Sequence, residues 1–375
     1  MPEQRKTTVI QSAHGGTLEL AELDGIFTTS AVPGSGPGGA KEQIESAFSD
    51  LARLLDSAGV GRSSAGLVTV AIAGQDLAEL VAGPWTELFP DPDARPALKI
   101  NVFPQPAGQH VALQAIGVRG ERPVRIGEGT VHGLAPLAVR LGRLLFTSLV
   151  DGRVPGTGEL PGDPEAQVRQ AYANLAEILA AAGGSWDDAL HVYVYFRDRK
   201  SDQPLMHRIW QEIFPAHGLC PARKAINYAP LAGTGTVLEF ELIANLGAGE
   251  RRDYVLDNVR GHDTGTMAAS VGGLFYSSGI SGDPPHGQGG LGDFTSQCNW
   301  AFAHLRALFE RAGGTASGIG HVMIILRDYD DQAEALSVWR ELFPDPADQP
   351  THQFVGLELN SQRSELVQLH VIGRV

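Results

Sequence analysis

The chain has 375 residues, 43% of them hydrophobic and 19% charged, with 46 glycines and 23 prolines, the composition of a turn-rich globular protein of two or three domains. A formal charge of −14 disfavours nucleic acid as a partner, and two cysteines, Cys220 and Cys298, are too few for a disulfide framework or a thiolate zinc site. The opening MPEQRKTTVIQ lacks the apolar core of a secretion signal and no run reaches 18 apolar residues, so neither export nor membrane spanning is expected and a cytoplasmic location is.

In chain order the same series of elements recurs three times. The first copy opens with a strand and turn, GIFTTSAVPG from Gly25, then a helical stretch, KEQIESAFSDLARLLDSAGV from Lys41. An apolar strand AGLVTVAIAG follows from Ala65, then a second helix carrying WTELFP from Trp85, then a closing strand HVALQAIGV from His110. In the second copy the matching pieces are RLLFTSLVDG, EAQVRQAYANLAEILAAAGG from Glu165, ALHVYVYFRD, WQEIFP from Trp210 and VLEFELIANL. In the third they are GLFYSSGISG, TSQCNWAFAHLRALFERAGG from Thr295, GIGHVMIILRD, WRELFP from Trp339 and LVQLHVIGR. The tryptophans stand 125 and 129 positions apart, about a third of the chain, so a period of this size defines the architecture before any single element does.

Gln43, Gln167 and Gln297 share one place in the long helices, and Gly59, Gly183 and Gly313 stop them. In the middle helix Val168, Ala171, Tyr172, Leu175, Ile178 and Leu179 recur at three and four residues, which makes one apolar face. The closing strands alternate: Leu238, Phe240 and Leu242 oppose Glu239 and Glu241, as Val111, Leu113 and Ala115 oppose Ala112 and Gln114, and Val367, Leu369 and Val371 oppose Gln368 and His370. The apolar face is expected to carry both helices of a copy, and the semi-polar face to meet water or another copy's sheet. The expected fold class is therefore α+β, with three tandem domains at 1–120, 121–248 and 249–375, each a sheet with two helices on one face.

The middle copy resembles the RidA/YjgF family of small trimeric proteins. FTS followed by TGEL, AQVRQAYANL, the AAGGSWDDALHVYVYFRD run, PARKA and LEFELIA carry the resemblance over about 105 residues, and the outer copies match more weakly. It implies a RidA-like, chorismate-mutase-like fold, with one chain forming an intramolecular pseudo-trimer where the family uses three. It also implies a small carboxylate-bearing imine or enamine as substrate, with no cofactor and no metal. The arginine of PARKA, Arg223, would hold the carboxylate through its planar fork, and Glu239 would position or activate water. The matching positions are Leu98 and Ala112 in the first copy, with Arg95 or Lys99 as possible substitutes, and His352 and Gln368 in the third. One surviving site, between copies, is expected, with Ser148, His207, Ser278, Gly279 and His352 as further binding residues and Ser277 beside them.

Departures from the family pattern are Ala135 in place of an aromatic residue, Leu149 in place of a loop glycine that Gly279 keeps, and His207 in place of asparagine. They leave three readings open: hydrolysis of an imine or enamine acid at the Arg223 and Glu239 site; a specialised biosynthetic reaction on a larger carboxylate, as in chorismatases, which resemble this fold; or metabolite binding without catalysis. The pseudo-trimer is expected as a monomer or dimer. His191 and His321 precede matching strands and read as structural rather than metal-binding. The charged stretch RRDYVLDNVRGHDTG from Arg251 reads as a linker whose His262 and Asp263 are candidates to line a site.

Overall fold

A computed structural model of the chain describes residues 5–375 apart from 129–132, 215–219, 228–234, 258, 260–264, 286–289, 346–347, 358 and 360–363. Each third of the sequence builds one mixed sheet. In the second, the strand order is Ala222–Asn227, Ala189–Phe196, Leu238–Asn245, Leu144–Thr147, Pro136–Leu141, Pro123–Glu128, with the first pair parallel and the others antiparallel. The first unit repeats this order from Ala97–Val102 through Ala65–Ile72, Val111–Val118, Ile26–Thr29 and Thr17–Leu23 to Lys6–Gln11. The third runs from Thr351–Gly356 through Ile319–Leu326, Val367–Arg374, Leu274–Ser277 and Ala268–Val271 to Arg251–Tyr254. Arg251–Tyr254 thus belongs to the third sheet and is not a linker. His262 and Asp263 lie outside the described residues.

Two helices back each sheet: α1 (Ala40–Ala58) and α2 (Ala82–Leu88), α3 (Pro164–Ala181) and α4 (Arg199–Ile213), α5 (Phe294–Arg311) and α6 (Gln332–Leu342). The long helices end where left-handed backbone is needed, at Gly59, Gly183 and Gly313 with φ of 64°, 85° and 86°. Val168, Ala171, Tyr172, Leu175, Ile178 and Leu179 pack with Val192, Val194, Leu238, Phe240 and Leu242 in one core, so both helices of the unit cover the apolar face. Trp85, Trp210 and Trp339 enter the three cores and each packs tilted against its own phenylalanine, Phe89, Phe214 or Phe343, at centroid distances of 4.7, 4.5 and 4.4 Å. The repeated glutamine is a clamp. Gln167 donates to Pro161 O and Gly235 O and accepts from Val237 N, holding the start of the closing strand, and Gln43 and Gln297 do the same in their units.

The opposite sheet faces meet residues of other units. One buried cluster joins Leu67 and Ala97 of the first unit, Phe146, Leu190 and Ala222 of the second, and Val271 and Tyr276 of the third; another joins Phe103, Leu149, Tyr195 and Ile325. Strand Ala97–Val102 lies against Pro136–Leu141 and Leu144–Thr147, strand Ala222–Asn227 against Leu274–Ser277, and strand Thr351–Gly356 against Thr17–Leu23 and Ile26–Thr29. Each unit thereby offers the same edge strand to the next.

Candidate functional site

Arg223 lies on the edge strand of the second sheet, opposite Val192 in a parallel pair, which turns its side chain to the helix side. There α4 receives it. The guanidinium carbon sits 4.7 Å from the Trp210 ring centroid, one terminal nitrogen 3.7 Å from Met206 Sδ and the other 3.5 Å from His207 Nδ1. Residues 206, 207 and 210 share one helix face, so a single element builds the platform. Burial lowers the pKa of the guanidinium, and burial followed by the positive Arg223 lowers that of His207, leaving a neutral imidazole. Among the described residues no carboxylate pairs with Arg223, whereas the buried heads of Arg5 and Arg251 have Asp348 and Asp253.

The third unit supplies the other wall. Arg223 N–H donates to Ser278 Oγ at 3.0 Å, and that hydroxyl donates to Thr266 O at 2.6 Å. A β-carbon on Gly279 would stand 2.9 Å from Gln368 Oε1 and 3.0 Å from Lys224 Nζ, so the missing side chain leaves room for both. Lys224 donates to Gln368 Oε1, and Gln368 Nε2 donates to Glu365 Oε2 at 2.9 Å. Ser277 is turned away, its hydroxyl accepting from Val371 N within its own unit. The Arg223 side chain therefore lies with His207 and Trp210 on the helix side, while Lys224, next on the strand, meets Gly279 and Gln368 on the opposite face.

Glu239 is not among them. It pairs with Tyr195, three positions from Val192, and so projects from the sheet face opposite Arg223. That is the face of Glu241, which is held by Lys99 of the first unit. Glu239 is 2% exposed, and its Oε2 has no hydrogen-bond partner among the described residues. Burial, and then the neighbouring Asp151, push its carboxyl up to about 8, so it is protonated at neutral pH. Ser148 is at the first junction, where its Oγ accepts from Leu98 N at 3.0 Å. His352 occupies the Arg223 position of the third unit, its ring 4.8 Å from that of Trp339, and burial takes its pKa down to about 4. Neither reaches Arg223. The pair expected to act together thus projects from opposite faces of the second sheet.

In the first unit Arg95 is bound to Phe89 O and Leu134 O, and Lys99 to Glu241, so neither is free to replace the missing arginine. Where the three inner faces meet, His370 contacts Tyr193 O–H at 2.7 Å and His191 Nε2 at 3.0 Å, while His321 contacts Gln114 and Thr351. Each of these histidines has a hydrogen-bond partner among the described residues. Among the described residues no group of three or more His, Cys, Asp or Glu could hold a metal ion, both cysteines are free thiols, and no helix is long and apolar enough to cross a membrane. Trp210 was not assigned to the Arg223 site by sequence. Trp210 hid in the repeated hexapeptide, and its only signal was its position three residues after His207.

The family model described as Endoribonuclease L-PSP matches residues 130–246. Over 107 residues the chain is 33% identical to the putative reactive intermediate deaminase TdcF of Escherichia coli, covering 28% of this chain and 81% of the relative. Over 111 residues it is 34% identical to the mouse 2-iminobutanoate/2-iminopropanoate deaminase, covering 29% of this chain and 79% of the relative. A solved chorismatase is similar in fold over 84% of this chain and 94% of its own, at a TM-score of 0.54 and 13% identity. With relatives at this identity matched over most of their length, the chain belongs to the RidA/YjgF family.

Proposed function

We propose that the chain is an intramolecular pseudo-trimer that hydrolyses a small imine or enamine acid at the junction of its second and third units. One observation carries the site: the guanidinium of Arg223, pressed on Trp210 and His207, has no carboxylate partner among the described residues. A buried cation without a counter-ion is costly, and a planar bidentate anion such as a substrate carboxylate compensates it. His207, Ser278 and Gly279 line the same junction. The deaminase names of the relatives give the reaction class. Water adds to the imine carbon and ammonia leaves, giving the 2-oxo acid.

Three matched junctions in one chain are free to diverge, and only the second presents arginine. The first presents Leu98 opposite Ser148 and the third presents His352, so one turnover site per chain is the expected stoichiometry.

The test generates 2-imino acids in the presence of semicarbazide and follows loss of the semicarbazone. Wild type should suppress semicarbazone formation and Arg223→Met should not. Wild type that is inert toward imines yet binds 2-oxobutanoate would replace hydrolysis by metabolite binding, and wild type that does neither would remove the carboxylate site altogether.

A further inference from the structure

The three junctions are built alike, so their equivalent positions can be compared. Each sets the inner face of one unit's edge strand against a loop residue and a closing-strand residue of the next. At the first junction those two residues are Leu149 and Glu239, both large, and Leu149 is buried against Phe103 and Tyr195. At the second they are Gly279 and Gln368, and Lys224 fills the space above the glycine by donating to the Gln368 oxygen. The third junction has alanine at both, Ala31 and Ala112, and faces them with Gln353 where the other two edge strands carry lysine. Two short side chains leave a cavity of about 40 Å³ there, bounded by Ala31 and Ala112 of the first unit and Gln353 of the third, and floored by Asn101, Phe103 and Ile226.

Asn101 points to what this cavity takes. It pairs with Ala71, as Ala112 does, so its side chain and Ala112 share the inner face of the first sheet. It is 1% exposed, and its Oδ1 has no hydrogen-bond partner among the described residues. Buried polar atoms are paired as a rule, so this acceptor calls for a donor from outside the chain. The equivalent residues of the other edge strands are Ile226 and Val355, which make no such demand. Lys99, the cation on the cavity wall, is already held by Glu241, so a charged ligand would enter without a counter-ion. We propose that the third junction is a second binding site, for a small uncharged primary amide with a short aliphatic chain. The amide N–H donates to Asn101, and the chain packs on Phe103, Ile226 and Ala112. A primary amide suits a wall of side-chain amides because it offers donor and acceptor together. The volume exceeds what one water needs and falls short of the roughly 150 Å³ that takes a benzene ring, which limits the ligand to a few heavy atoms. The cavity lies on the inner side of the sheets, away from the Arg223 guanidinium, and the proposal is independent of the hydrolase reading.

The experiment titrates the full chain with propionamide, followed by saturation-transfer difference NMR, and uses propionate as the charged counterpart of the same shape. Propionamide should bind saturably and propionate should not compete with it. Asn101→Leu keeps the volume and removes the acceptor, and should weaken propionamide binding roughly tenfold. Ala31→Leu places the first junction's residue in the cavity and should abolish binding, with thermal unfolding showing both variants folded. Ala31 is only partly buried, so this variant carries the test alone if Asn101→Leu does not fold. Arg223→Met should bind propionamide as wild type does. Wild type that does not bind propionamide, or a folded cavity variant that binds it unchanged, would overturn the proposal and leave the carboxylate site untouched. Loss of propionamide binding in Arg223→Met, or competition by propionate, would overturn it by placing the amide at Arg223.

Discussion

The backbone N–H of Arg223 donates to Ser278 Oγ across the boundary between the second and third units, at 3.0 Å, and Leu98 N–H donates in the same way to Ser148 Oγ between the first and second. The two hydroxyls also donate alike, to Thr266 O and Pro136 O. One hydrogen-bond device thus sits at a junction that has the arginine and at one that lacks it.

Ser278→Ala and Ser148→Ala should therefore destabilise the fold equally, by about 1–2 kcal/mol for a buried donor left unpaired. Only Ser278→Ala should weaken 2-oxobutanoate binding, because only there does the bond fix the strand that carries Arg223. Denaturant unfolding and calorimetric titration of the two variants separate the effects. Equal loss of binding in both would show that ligand does not lie at the second junction.

Gly279→Ala tests the space above Lys224. The new methyl would stand 2.9 Å from Gln368 Oε1 and 3.0 Å from Lys224 Nζ, both ends of flexible side chains, and φ at Gly279 lies outside the left-handed region. The chain can relax by moving the lysine and glutamine. Stability should change by less than about 1 kcal/mol, and 2-oxobutanoate should still bind. Turnover at Arg223 should also hold, since the displaced side chains leave the sheet face opposite its guanidinium. Steady-state kinetics with thermal unfolding checks both halves.

Much of this fold was legible because it was written three times. The long helices begin and end within a residue or two of the periodic stretches, and the alternation in LEFELIA places Leu238, Phe240 and Leu242 in the helix-side core. The same alternation put Glu239 on the other face. What no local pattern supplied was the face of Arg223, which depends on its pairing with Val192, a partner 31 positions earlier. Nor could spacing tell which copy faces which, so the split of Arg223 and Glu239 between the two sheet faces stayed hidden. Arg251 misled for a different reason. Its strand is charged because it is an edge, and the arginine is buried by donating to Trp186 O and Ala189 O of the neighbouring unit.

Lys99 and Glu241 form a buried ion pair between the first and second units, with side chains 6% and 1% exposed. Removing one partner leaves a charge in the interior, so Lys99→Met alone should cost about 3–5 kcal/mol. The double variant Lys99→Met/Glu241→Leu removes both charges and should recover most of that loss. A double-mutant cycle in urea measures the coupling. Additive losses would mean that the pair is solvated and does not hold the units in register.

Glu239 makes a claim about pH. Its carboxyl has a folded-state pKa of about 8 against an ordinary value of 4.5, raised by burial and then by Asp151. Because the folded value is the higher one, the folded chain holds a proton there that the unfolded chain releases. The stabilisation is complete below about pH 4.5 and is lost progressively as pH rises to about 8. At about 1.4 kcal/mol per pKa unit the swing is on the order of 5 kcal/mol. Glu239→Gln carries no titrating proton and nearly the same shape, so its stability should match wild type near pH 5 and exceed it near pH 9. Urea midpoints at the two pH values decide it. Parallel midpoints in both proteins would mean that Glu239 is ionised in the folded chain, and with it ready to act as a base, which would return it to the candidates for water activation.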